Sequence, residues 1–402
     1  MITGDEQTAQ ADGFFASSED NLHAKAVEAT GLEDFGDPAY RTGLAKLLRS
    51  FDEDLERDPA RKEACLALAL APLIARLFVE DGLKRYAGSA DAGVVAPVFV
   101  VGCPRSGTTA LHKLLACDER FQGLESWLIK TPMPRPPKRE WADNPHYRQA
   151  VARFESRLAA TPELKFIHYT QPNEVDECLG ITAQTFVSNA FGSTAYVPSY
   201  DRWFVEQDAR PLFATLERNL RLIGANESHK RWLLKNPSHV LDLDMLLDHF
   251  PDAMVVHIHR DPLKSMPSTF SLLSKLHRQF DGEQVNLPAL VEREIGLWSK
   301  ALTDAVDIAA RHRDRVIEVM EHDMIAAPLE IVQRIYSFAG MELSAQTKQA
   351  MHTWWAQHPV GKHGKHRYSA EAVGVTQEAL AQRFATYRAH YGFDRQDGEG
   401  GR

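Results

Sequence analysis

The stretch PVFVVGCPRSGTTALHKLLAC, residues 97–117, decides how the rest of the chain is read. Pro97–Val101 is an apolar run that predicts a buried strand. It breaks at Gly102, and a second glycine, Gly107, is followed by two hydroxyls, Thr108 and Thr109. SGTTALHKLLAC then reads as a helix. A strand, a tight loop with two glycines and a helix N-terminus build an anion site, because backbone N–H groups and the helix dipole converge there. A loop made for a nucleoside triphosphate has a lysine where Thr108 stands, reaching the terminal phosphates. Here Arg105 supplies the positive charge from inside the loop, and a guanidinium forks onto oxyanions. Pro104, Arg105, Ser106, Gly107, Thr108 and Thr109 therefore suit one phosphate group better than a triphosphate with its metal.

Three further runs predict strands: RWLLKN (231–236), AMVVHIHR (253–260) and RVIEVM (315–320). Helical runs precede or separate them, among them VLDLDMLLDHF and LVEREIGLWSKALTDAVDIAARH. Strands alternating with helices predict an α/β fold with a mostly parallel, P-loop-like sheet flanked by helices. In such sheets ligands collect at the C-terminal strand ends, where Arg105, Lys235 and Arg260 stand. In HRDPLKSMPS, Asp261 can cap a helix and Pro262 suits its first position. Arg260 and Ser268 flank that turn and can converge on a second phosphate. Lys235, in LLKNPSH, either snorkels to solvent or faces the ligand. The basic stretch GKHGKHRYS (361–369) could close over an anion with Lys365, His366 and Tyr368. Its histidines lack a metal-ligand spacing.

Before this sheet, Asn21 to Tyr86 is helical in pattern, and AGSADAG (87–93) reads as a linker. The chain divides into an N-terminal helical extension, 1–93, and an α/β domain, 94–395. Hydrophobic residues make up 44% and charged residues 25% of 402, which fits a globular protein. A net charge of -9 argues against bulk attraction to nucleic acid or anionic membranes. The longest apolar run, ACLALALAPLIA, is too short to span a bilayer and reads as a buried helix. Cys65, Cys103, Cys117 and Cys178 have no paired spacing, so a reducing, cytoplasmic setting fits better than a disulfide framework.

The loop PRSGTT, the arginine–serine pair around RDP and the lysine of a K-x-P segment together resemble PAPS-dependent sulfotransferases, and within them the bacterial branch related to tyrosylprotein sulfotransferases. The motifs run from about Val98 to Ser369. The resemblance implies that Arg105 to Thr109 bind the 5′-phosphosulfate of 3′-phosphoadenosine 5′-phosphosulfate (PAPS) and that Arg260 and Ser268 bind its 3′-phosphate. Lys235 would meet the oxygen bridging phosphate and sulfur, and adenosine 3′,5′-bisphosphate would leave. Lys365, His366 and Tyr368 match only loosely. In the tyrosylprotein relatives a glutamate about twenty residues past the loop is the base, which implies Glu125, in GLESW, among apolar neighbours that predict partial burial. His168, in KFIHYTQPNEVDECLG, is the rival base. His239 stands four residues past Lys235, where the spacing departs from that of the histidine-using relatives.

The reaction so implied moves a sulfuryl group onto a hydroxyl by positioning and electrostatics, with no metal required. The acceptor, a small molecule or a peptide, is not named by the sequence, and a homo-oligomer stays open. The aromatics Phe186, Phe191, Tyr196, Tyr200, Trp203 and Phe204 hint at an apolar acceptor or at core. A P-loop kinase or triphosphatase would need the missing loop lysine. A non-catalytic nucleotide-binding protein would not need Glu125 and Lys235 together with the loop.

Overall fold

The structure is a computed structural model that describes residues 13–54, 59–86, 88, 93–160, 170–282, 285–358 and 370–395. Five strands form one sheet: β1 Val98–Gly102, β2 Phe121–Gln122, β3 Arg231–Lys235, β4 Met254–His259 and β5 Val316–Met320. Their order is β2-β3-β1-β4-β5, and every neighbouring pair is parallel. The four predicted strands are all present. The fifth, β2, is two residues long and escapes any pattern reading.

Both faces of the sheet are covered, as the near-continuous apolar runs require. Phe99, Val101, Leu234 and Val255 join one buried cluster with Trp298 and Leu302. The alternate residues Val98, Val100, Leu233, Val256 and Ile258 join another with Leu111, Leu114 and Ile335. β1 lies between β3 and β4, and the connections leaving β1 and β4 run to opposite sides of the sheet, a reversal between these two strands. The ends of β1, β3 and β4 border the crevice that such a reversal opens.

Helices α1 (Glu19–Thr30), α2 (Tyr40–Asp54) and α3 (Pro59–Arg85) form the N-terminal extension. α3 contains the apolar run around Pro72 and is buried against protein, as its length predicts. Leu44, Leu47, Phe51, Leu73 and Leu77 share a cluster with Phe186, Phe191 and Tyr200. Those aromatics are 0–1% exposed. They are core that ties the extension to the rest, rather than walls of an acceptor pocket. Arg76 reinforces the joint by donating to the carbonyls of Phe35, Asp37 and Gln184.

α4 (Thr108–Leu115) follows the loop, α5 (Ser126–Lys130) follows β2, and α6 (Pro262–Asp281) follows β4. Asp261 caps α6 as its sequence predicts, accepting from the Leu263 N–H at 3.1 Å. It also accepts from Arg388 Nε at 3.0 Å, and both side chains are buried. Tyr387 bonds His259 Nδ1 at 2.9 Å. The C-terminal segment therefore grips the turn between β4 and α6. Removing one partner of a buried pair leaves the other charge uncompensated, at a cost of about 3–5 kcal/mol. Arg388→Ala should lower the unfolding free energy by that order in urea titration. A loss below about 1 kcal/mol would mean the grip is incidental.

Candidate active site

The loop after β1 is bent in ways that need its glycines. Gly102 has φ +150, and a Cβ there would stand 2.5 Å from the Ile258 carbonyl oxygen of β4. Gly107 has φ +92, where side chains are strained. Arg105 adopts φ +66 without being glycine, which costs on the order of 1–2 kcal/mol. Its carbonyl is held in place by a 2.6 Å hydrogen bond from Arg260 Nη1. Strain maintained by its surroundings is a mark of a functional segment.

The side chains close the same joint. Arg105 Nε donates to Ser268 Oγ at 3.2 Å, so the loop and α6 touch directly. Ser106 Oγ and Arg260 Nε are buried and have no hydrogen-bond partner among the described residues. Unpaired buried donors are rare and call for an explanation; an anion seated between the two helix starts would satisfy both. Arg260 Nη1 also meets Glu321 Oε1 at 3.2 Å. Burial pushes the Glu321 carboxyl above its usual range, against the pull of Arg260 and Lys264. The sequence reading missed Glu321; its one signal was an acid directly after a strand.

Lys235 ends β3 and is 1% exposed. Its Nζ donates to Thr109 Oγ1 at 3.2 Å and to Glu177 Oε1 at 2.5 Å. It therefore faces the loop and does not snorkel. Glu177 belongs to a segment laced across the strand ends. Ser126 N–H donates to the Glu174 carbonyl, Asp176 N–H to that of Leu124, and Cys178 N–H to that of Lys235. Lys113 of α4 pairs with Glu174 at 3.0 Å. The sequence gave no sign that one of these acids holds the lysine.

Glu125 precedes α5 and is 7% exposed, in keeping with its apolar neighbours. Its Oε2 accepts from Arg135 Nε at 3.0 Å. Arg135 is buried too and also donates to Gln122 Oε1, Glu227 Oε2 and the Gly123 carbonyl. Among the described residues no group is hydrogen-bonded to the other Glu125 oxygen. Arg135, ten residues downstream, was not foreseen.

The remaining expectations divide. His239 is turned into the core by the short helical turn Pro237–Asp242 and packs on Phe99 and Phe213. Burial depresses its pKa to about 3. His168, Lys365, His366 and Tyr368 lie outside the described residues. Pro104 sits within the loop, half-buried. The described residues contain no group of three His, Cys, Asp or Glu side chains placed to hold a metal. None of their helices is long and apolar enough to cross a membrane.

A parallel sheet whose central strand feeds a strained phosphate-type loop, with a buried lysine on the neighbouring strand end, is the architecture of a group-transfer enzyme. Residues 97–345 match the profile of the sulfotransferase family; the chain belongs to that family and is a sulfotransferase. It is similar in structure to sulfotransferase STF1 from Mycobacterium tuberculosis, at 36% identity and TM-score 0.83, covering 92% of this chain and 99% of that one. Sulfotransferase STF9 from Mycobacterium avium gives 26% and 0.84, covering 92% and 96%. Omega-hydroxy-beta-dihydromenaquinone-9 sulfotransferase Stf3 of Mycobacterium bovis is 26% identical over 306 residues, 74% of this chain and 76% of that protein. The narrower resemblance to tyrosylprotein sulfotransferases is not confirmed by these matches.

Three fully buried histidines, His112, His239 and His257, have pKa values lowered by burial to about 3. Unfolded histidine takes up a proton near pH 6.5. Between about pH 3 and 6.5 the unfolded chain therefore binds more protons, and stability falls as pH drops through that window. His239→Leu, which cannot take the proton, should flatten the decline between pH 6.5 and 5 in urea titrations. An unchanged slope would show that His239 is protonated in the folded chain.

Proposed function

We propose that the sulfuryl donor is PAPS, that its 5′-phosphosulfate occupies the loop Pro104–Thr109, and that Arg260 and Ser268 take its 3′-phosphate. The observation behind this reading is the joint between the loop and the β4–α6 turn. Arg260 holds the Arg105 carbonyl, Arg105 reaches Ser268, and an unpaired donor remains on each side in Ser106 Oγ and Arg260 Nε. Two anion sites that share residues suit a ligand with two phosphate groups on one nucleoside.

In the transfer itself, the acceptor oxygen attacks sulfur while the bond from sulfur to the bridging oxygen breaks. Adenosine 3′,5′-bisphosphate leaves. Lys235 meets the charge that grows on the bridging oxygen, an interaction stronger in the transition state than in the ground state. The acceptor's proton goes to the free oxygen of Glu125, with Arg135 fixing the other one. The acceptor is a hydroxyl compound. The relative named for an omega-hydroxy menaquinone supports an alcohol on an apolar body, and the fold by itself does not choose among alcohols.

Calorimetry tests the donor. Adenosine 3′,5′-bisphosphate should bind without magnesium and more tightly than ATP. Arg260→Ala should weaken it by about 1.5–3 kcal/mol, a charged hydrogen bond's worth, and should weaken AMP, which has no 3′-phosphate, by less, since the same side chain also holds the loop. Tight ATP binding only with magnesium, and none of the bisphosphate, would point to a triphosphate enzyme instead.

The base has its own test. Glu125→Gln keeps shape and removes basicity. Single-turnover transfer should fall about 10²–10⁴-fold with bisphosphate affinity intact. A near wild-type rate in this variant, with a dead His168→Ala, would move the role to His168.

A further inference from the structure

We infer that Glu177 is a positioning residue that pins the Lys235 ammonium, so that one N–H is left to face the scissile oxygen. This rests on the donor reading above and goes beyond it, since no motif assigns Glu177.

An ammonium has three N–H donors. In Lys235 one goes to Thr109 at 3.2 Å and one to Glu177 at 2.5 Å. Lys235 has no further partner among the described residues. The two bonds fix the head of a long side chain that is otherwise free to rotate. They leave the third N–H as its remaining direction.

The pin is itself anchored. Cys178, the next residue, donates its N–H to the Lys235 carbonyl, so the two backbones move together. Asp176 is tied to Leu124, and Glu174 to Ser126 and Lys113. The Glu177 side chain is 21% exposed while that of Lys235 is 2% exposed, so the pin stands on the open side of the lysine.

A carboxylate beside an anion site works against donor binding, because its charge repels the incoming phosphosulfate. Its presence is therefore not explained by affinity. A loose ammonium could settle on a non-bridging oxygen and stabilise bound donor and transition state alike, which adds nothing to turnover. Held by Glu177, it waits where the bridging oxygen will gain charge. The carboxylate gives up ground-state affinity in exchange for preorganisation of the lysine.

The signature is a split between binding and rate. Glu177→Ala should tighten bisphosphate binding by about 3–10-fold and slow single-turnover transfer by roughly 10–10²-fold. Glu177→Gln, which keeps an acceptor and loses the charge, should tighten binding similarly and slow transfer less. In a Lys235→Ala background, Glu177→Ala should have no further effect on rate, since a pin with nothing to hold is silent. Melting temperatures identify variants that fail to fold, and the glutamine variant then decides. Affinity falling together with rate, or a full rate loss from Glu177→Ala in the Lys235→Ala background, would overturn the role. So would a Glu177→Gln variant matching the wild type in both binding and rate. A wild-type chain that does not bind the bisphosphate would instead remove the donor reading on which the role stands.

Discussion

The bond from Arg260 to the Arg105 carbonyl, 2.6 Å long, is the constraint on which the site depends. It spans the ends of two adjacent parallel strands that lie in register, Gly102 opposite Ile258. The strands can end level because Gly102 has no Cβ to strike the Ile258 carbonyl. With the ends level, α4 and α6 start side by side, and each contributes an N-terminus to the same crevice. The strained backbone at Arg105 is then held from outside the loop. A loop stabilised only by its own turns would have relaxed. The geometry of the anion site is thus a property of the β1–β4 pair, with Asp261 and Arg388 fixing the β4 side.

Four cations near the crevice already have a carboxylate. Lys235 has Glu177, Arg260 has Glu321, Arg135 has Glu125 and Lys113 has Glu174. A bare cluster of buried positive charge would be costly to fold, and the chain as a whole is acidic. Pre-pairing resolves the conflict. It also divides the cations by task. Arg135 is enclosed by four acceptors and works as scaffold. Arg260 keeps an unpaired Nε and can take an outside anion without losing its hold on the loop.

The sheet and the loop were legible in the sequence because each is a local signal. β1, β3 and β4 are largely apolar runs that stop at glycine, lysine or arginine, and Asp261-Pro262 announces a helix start. β2 was not legible: two residues cannot show a period, and Phe121 and Gln122 are strand only because β3 lies beside them. The pairings that shape the site were also hidden. Glu177 stands 58 residues from Lys235, and nothing local distinguishes it from Glu174 or Asp176. His239 shows the reverse error of proximity. It is near Lys235 in sequence, but the turn at Pro237 points it into the core. The aromatics of 186–204 were ambiguous for the same reason, since core and pocket draw on the same residue types.

The candidate anion site is built from strand ends and the helices that follow them, the stiffest parts of an α/β fold. The long connection from β2 to β3 is of another kind. It carries Arg135, Glu174 and Glu177, and its segment 174–178 is tied by backbone bonds to Leu124 and Ser126 just past β2 and to Lys235 of β3. Those bonds are indifferent to side-chain identity, so outward-facing residues of this connection can vary without disturbing the pins on Lys235 and Glu125. A scaffold that separates a fixed donor site from a variable covering segment can change acceptor while keeping its chemistry. The relatives preserve the fold at 26–36% identity, which is the outcome such a division allows.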